Sequence, residues 1–134
     1  LAVSVEPTSP APEILPINSL LDGEEAAFFQ RTLRSGHKIK FPGHVVILGD
    51  VNPGAEIVAG GNIIVWGKLR GRVHAGAAGN QAAVVCALDL APTQLRIAEK
   101  ISISPPKKGK TGPEIAQLVD GQVTARVWKA GSKH

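Results

Sequence analysis

Residues Gly43–Asn80 read GHVVILGDVNPGAEIVAGGNIIVWGKLRGRVHAGAAGN, and this stretch decides the fold. Shifted against itself by 18 residues, it sets Val45 on Ile63, Ile47 on Val65, Gly49 on Gly67 and Val51 on Leu69. The same shift sets Ile57 on Ala75 and Asn62 on Asn80. A fixed repeat of this length means that each copy is a unit that cannot bury its own apolar side and stacks on a neighbour. Within a copy the apolar residues alternate, as in Val45-x-Ile47 and Ile63-x-Val65, which is the period of a strand with one face on a core. Short strands, glycine corners and this period describe one lap of a triangular β-solenoid, about six residues per side. The expected fold class is all-β, with the ladder running from about Ile39 to Ile103.

Composition suits that reading. Of 134 residues none is Met or Tyr and few are aromatic, so Ala, Val, Ile and Leu must fill the interior. The single cysteine, Cys86, rules out an internal disulfide and is expected as a small buried hydrophobe in AAVVCAL. No apolar run approaches the roughly 20 residues that a membrane-spanning helix needs, and we expect no signal peptide at its start. The net charge of +4 is spread over Lys38, Lys40, Arg70, Arg72 and the Lys107, Lys108, Lys110 group, without interleaved aromatics. That pattern fits solvated faces and an attraction to acidic peptides or anionic surfaces better than specific nucleic-acid binding.

Outside the ladder the signals change. Residues 1–18 carry Pro7, Pro10, Pro12 and Pro16 and are expected to form a semi-stiff linker, with the folded domain spanning 19–134. A start at Leu1 within such a linker leads us to expect a further domain ahead of it. Asp22-Gly-Glu-Glu25 has capping-box spacing, which predicts a short helix to about Gln30 with Ala26, Phe29 and Leu33 as its stripe. Thr32-Leu33-Arg34-Ser35 reads equally well as a first solenoid strand. After Asn80 the glycines thin out, and Leu95-x-Ile97 and Ile101-x-Ile103 mark a degenerate third lap. Ser104–Pro113 reads as a loop. Asp120-Gly121 between alternating apolar residues predicts a hairpin that caps or edge-pairs the ladder.

The chemical motifs are thin. Gly109-Lys110-Thr111 lacks the upstream glycine of a phosphate loop, because Ser104 stands there. The four histidines, 37, 44, 74 and 134, show no metal-site spacing. Asp50 and Asp89 are expected at corners, holding backbone. Val51, Ile57, Ile63, Leu69 and Ala75 recur every six residues, as in hexapeptide-repeat acyltransferases and metal hydratases. The small residue that such repeats place after each aliphatic is missing, however, and the run breaks at Gln81. A filament-forming cytoskeletal solenoid is the remaining alternative. We expect no catalysis, no cofactor and no metal. The weakly charged segment Gln81–Leu90, with Ala83 and Val85, is expected to contribute to a two-fold interface.

Three segments, Leu33-Arg34-Ser35-Gly36, Leu48-Gly49-Asp50-Val51-Asn52-Pro53-Gly54-Ala55-Glu56 and Gly61-Asn62-Ile63-x-Val65-x-Gly67-x-x-Arg70-Gly71-Arg72, carry a resemblance. In order and spacing, from about Arg31 to Ile103, the chain resembles the C-terminal domain of the MinC septum-site inhibitors of bacterial cell division. The resemblance implies a short right-handed triangular β-helix that forms a homodimer. It implies binding to the membrane-associated ATPase MinD in its ATP-bound state, and help in targeting the acidic C-terminal tail of FtsZ. The protein would then be cytoplasmic and reach the inner face of the membrane only indirectly, through MinD. The family's N-terminal domain, which blocks FtsZ assembly, is expected to lie outside this chain. The family's MinD-contacting motif Arg-Ser-Gly-Gln maps onto Arg34, Ser35, Gly36 and His37, with His37 in place of Gln. A second contact corner maps onto Gly60, Gly61 and Asn62, with Gly60 where Asp is usual. Apart from any partner, Gly36, Gly60 and Gly61 are expected at corners needing positive φ.

Overall fold

The computed structural model describes residues 25–102 and 112–128. Among these described residues, eleven strands form two sheets. On one side β1 (Ala26–Phe29), β3 (His44–Ile47), β5 (Ile63–Leu69) and β7 (Val85–Leu90) stack in parallel. On a second side β2 (Lys38–Phe41), β4 (Glu56–Ala59), β6 (Arg72–Ala75) and β8 (Gln94–Ile97) do the same. Single bridges from Leu33 to Val51 and from Val51 to Leu69 mark the third side. There β5 and β7 run on until Leu69 meets Leu90. Three tracks of lap-on-lap pairing make the solenoid.

Alternation sends every second side chain inward, and lap stacking lines those side chains up in columns. Ala27, Val45, Ile63, Val85 and Ala116 form one column, and Ile39, Ile57, Val73 and Leu95 another. Leu33, Val51, Leu69 and Leu90 fill the third side. Val45, Ile57 and Ile63 have no exposed surface, and each such side chain contributes about 1.5–3 kcal/mol by leaving water. No polar side chain shares this interior among the described residues.

Laps differ in length, and the uniform shift hides this. Val45 does meet Ile63, 18 residues on, but Ile57 meets Val73 rather than Ala75. The corner at Arg70-Gly71 is two residues shorter than its predecessor, so the chain reaches β6 early. The next lap is longer: Asn62 Oδ1 accepts the Val84 N–H at 2.9 Å, 22 residues on, and Asn80 lies in the inserted turn instead. Asp50 holds a corner as expected, its Oδ1 accepting the Lys68 N–H at 2.8 Å where the β5 register shifts. Asp89 instead pairs with Arg70 at 2.8 Å.

From Ala26 onward the expected helix is a strand. The β3 lap takes up its backbone groups, with the His44 N–H donating to the Glu25 carbonyl and the Leu48 N–H to that of Phe29. Ala27 and Leu33 are buried, whereas Ala26 is exposed. A local capping signal lost to a tertiary ladder that also buries apolar surface. The linker over 1–18, the loop over 104–111 and Ile103 lie outside the described residues.

At the far end the chain turns back. β9 (Lys100–Ser102) folds antiparallel onto β8, which puts Ser102 opposite Leu95 and leaves Ile101 outside, next to Arg96. Ile101 therefore does not continue the inward alternation that its spacing suggests. β10 (Glu114–Val119) and β11 (Gln122–Val127) form the hairpin expected at Asp120-Gly121, and β10 pairs antiparallel with β7. Ala116 closes the core over Val85.

Candidate functional site

Two corners and one face stand out. The first corner, Arg34–His37, leads from the third side into β2, and all four of its residues are exposed. Two backbone bonds tie it to the next lap. The Gly36 N–H donates to the Gly54 carbonyl at 3.0 Å, and the Glu56 N–H donates to the His37 carbonyl at 3.0 Å. Ser35 packs against Gly54 of the next lap. Gly36 has φ +92° with open space around its α-carbon, so here glycine is required by backbone conformation alone. The Arg34 guanidinium makes no hydrogen bond or ion pair with any described residue. A fixed turn thus presents a free, rigid fork of donors to solvent.

The second corner, Gly60–Asn62, joins β4 to β5. Gly60 and Gly61 do not have the positive φ expected of them. What excludes a side chain at Gly60 is crowding, because a Cβ there would strike the Pro42 carbonyl oxygen one lap below. Asn62 is a stitch between laps. Its N–H donates to His44 Nδ1 at 2.7 Å, and its Oδ1 is occupied by Val84. Gly61 is buried and the other two residues are half-buried. The two corners are not brought together. They sit at opposite ends of the β2/β4 ladder, about 13 Å apart for a four-residue strand. Only the first offers a free charged group.

Between these corners the outer face of the second sheet is polar. Lys38, Glu56, Arg72 and Gln94 form one outward row, and Arg96 adjoins it. Glu56 lies 3.1 Å from Arg72 and 4.0 Å from Lys38, which leaves the face net basic.

The outer face of the first sheet is the opposite. Phe28, Val46, Ile64, Cys86 and Ile115 run across it in register, and Trp66, Leu88 and Trp128 extend it. Trp66 is 60% exposed and Phe28 54%, which is unusual for a parallel sheet, whose two faces are normally covered. Trp66, Cys86, Ile115 and Trp128 line an apolar groove of about 190 Å³ on this face. Partial burial pushes the Cys86 thiol up, which favours its protonated form. Ala83 and Val85, expected to contribute to a two-fold interface, are buried at 1% and 0% exposure, so the outward residues of β7 are Cys86 and Leu88. Sequence reading missed this face, although a signal was there: Ile63-Ile64-Val65-Trp66 is apolar on both alternating registers.

No group of three or more metal-ligating side chains occurs among the described residues, and none of their helices is long and apolar enough to cross a membrane. Known proteins give a consistent picture. The family model described as septum formation inhibitor MinC, C-terminal domain, matches residues 27–128. A "Probable septum site-determining protein MinC" of Heliobacterium modesticaldum is 57% identical over 112 residues, which cover 82% of this chain and 39% of that protein. Its namesake in Acetivibrio thermocellus is 54% identical, covering 72% of this chain and 44% of that protein. The chain thus spans about two fifths of the length of these relatives. Among solved structures, a chain of the "MinC:MinD cell division protein complex" of Aquifex aeolicus superposes with a TM-score of 0.75 and 39% identity, covering 80% of this chain and 89% of that one. Stacked laps, the family model and these relatives together place the chain in the family of MinC C-terminal domains.

Proposed function

We propose that this domain is the docking and pairing module of a cell-division inhibitor. The Arg34–His37 corner engages MinD in its ATP-bound state, and the apolar face of the first sheet pairs two copies. The Pro-rich 1–18 segment is a tether to a separate FtsZ-blocking domain. Docking then carries a cytoplasmic inhibitor to the inner face of the membrane through MinD. The basic outer face of the second sheet suits the acidic tail of FtsZ. The module itself catalyses nothing.

One observation carries the reading: a chain from a MinC:MinD complex shares this fold at 39% identity, and here the Arg34–His37 corner holds, on a fixed turn, an arginine with no partner among the described residues. Homodimer formation is supported by the row of exposed apolar side chains, because isologous interfaces place one such patch against its twin. Capture of MinD on the immobilised domain, with ATP and with ADP, tests the docking role. Retention with ATP only is expected; equal retention with both nucleotides, or none, would overturn it.

A further inference from the structure

The turn that presents Arg34 is closed by an imidazole nitrogen. The Arg34 N–H donates to His37 Nδ1 at 3.0 Å, while the His37 N–H donates back to the Arg34 carbonyl at 2.9 Å. The second bond is an ordinary turn bond. The first is not, because it requires a neutral ring with its proton on Nε2 and a lone pair on Nδ1. A second proton can go only to Nδ1. It converts the acceptor into a donor aimed at another donor, so the bond is lost and the Arg34 amide is released.

We propose that His37 is a positioning residue for the docking corner, whose protonation loosens the turn and weakens the grip on the partner. The inference rests on the docking reading of this corner. The charged groups around the ring are mostly cations. On its own turn are Arg34 and the adjoining Lys38, and Arg31 lines the same groove as His37 and Lys38. From the stacked lap comes Glu56, whose N–H donates to the His37 carbonyl. Its carboxylate is already shared by Lys38 at 4.0 Å and Arg72 at 3.1 Å. Protonated His37 would thus add a positive charge beside Arg31, Arg34 and Lys38. Acid weakens docking by releasing the turn, and the neutral ring favours it.

The test compares affinity for MinD, loaded with a non-hydrolysable ATP analogue, at pH 7.5 and 5.5, the span over which an imidazole ordinarily gains its proton. Losing one hydrogen bond of this kind weakens the parent about fivefold between the two conditions. In His37→Asn the Oδ1 sits as many bonds from Cα as Nδ1 does, accepts a hydrogen bond and does not protonate. Its two affinities should agree within about twofold, whatever their absolute value. His37→Ala should also be flat with pH, and weaker than His37→Asn. Comparing variants cancels any response of MinD itself. In parallel, NMR of the free chain follows the Arg34 amide, which should shift and exchange faster as His37 protonates, and stay still in His37→Asn. Equal pH loss in the parent and His37→Asn, or an indifferent Arg34 amide, overturns the inference. If no variant binds MinD at either pH, the docking reading fails instead, and the amide alone decides whether His37 holds the turn.

Discussion

Replacing Gly60 by Ala separates scaffolding from docking at the second corner. The added Cβ meets the Pro42 carbonyl oxygen, with the Pro42 carbonyl carbon at 2.9 Å and Cα at 3.3 Å. These are backbone atoms, and no rotamer change moves them aside. The rung must lift, which strains the bonds from the Gly60 N–H to the Phe41 carbonyl at 2.9 Å and from the Gly61 N–H to the Gly43 carbonyl at 3.0 Å. Overpacking costs ~1–3 kcal/mol and weakening two hydrogen bonds about 1 kcal/mol more, giving ~2–4 kcal/mol in all. At ~4–8 °C per kcal/mol for a small domain, the melting temperature should fall by ~8–30 °C. Thermal melts followed by circular dichroism at 218 nm read this directly. Binding to ATP-loaded MinD, measured at 15 °C where the variant remains folded, should stay within about threefold, because Gly60 offers no side chain to a partner. A melt within about 3 °C of the parent would refute the close approach of the laps, since overpacking against backbone costs more than that. An unchanged melt with lost binding would make Gly60 a contact residue. Gly36→Ala is the contrast: no atom lies within 4 Å, so only the positive φ opposes it, at ~1–2 kcal/mol.

Other substitutions test the remaining surfaces. Arg34→Glu should weaken MinD binding about 30-fold or more while shifting the melt by only a few degrees, which calorimetry and equilibrium binding can check together. Ile63→Asp buries a carboxylate among apolar columns and should unfold the chain, whereas Ile64→Asp next to it faces outward and should leave the β spectrum intact. The same Ile64→Asp protein should run as a monomer in light scattering if the apolar face pairs two copies; a persistent dimer would send the interface elsewhere. Cys86 should alkylate more slowly in the folded than in the denatured chain at pH 8, because burial raises its pKa. The sign follows: the unfolded thiol ionises first, so this group's contribution to stability is complete below the ordinary thiol range and fades as pH climbs through it.

What could be read from the chain was whatever recurs in the core. Val45, Ile63 and Leu69 point inward at a regular spacing because the interior is narrow and tolerates little else, so both the solenoid and its strands were legible. Lap length was not, since the corners at Arg70-Gly71 and Gly76–Ala83 change it without touching the core pattern. The helix expected before Gln30 rested on a four-residue local signal that says nothing of a distant β3. Arg34–His37 was singled out only through the family resemblance. Its hydrogen bond to an imidazole depends on a folded turn, and no spacing rule encodes it. Gly60 was singled out, but for a backbone conformation it does not adopt; its true constraint comes from Pro42, a lap away.

The unequal laps also carry a practical consequence for imaging. The turn after β6 absorbs the extra residues of the longest lap, and Ala77–Ala82 stand exposed on it. Local bonds hold it, from the Gly79 N–H to the Gly76 carbonyl and from the Ala82 N–H to Asn80 Oδ1. Chain added at such a point costs closure entropy that grows only slowly with length, about 0.6 kcal/mol per doubling. A fluorescent protein or epitope inserted between Ala78 and Gly79 would therefore ride on the solenoid as a permanent flag. The tag would sit two laps from Arg34, leaving both chain ends free for whatever adjoins them.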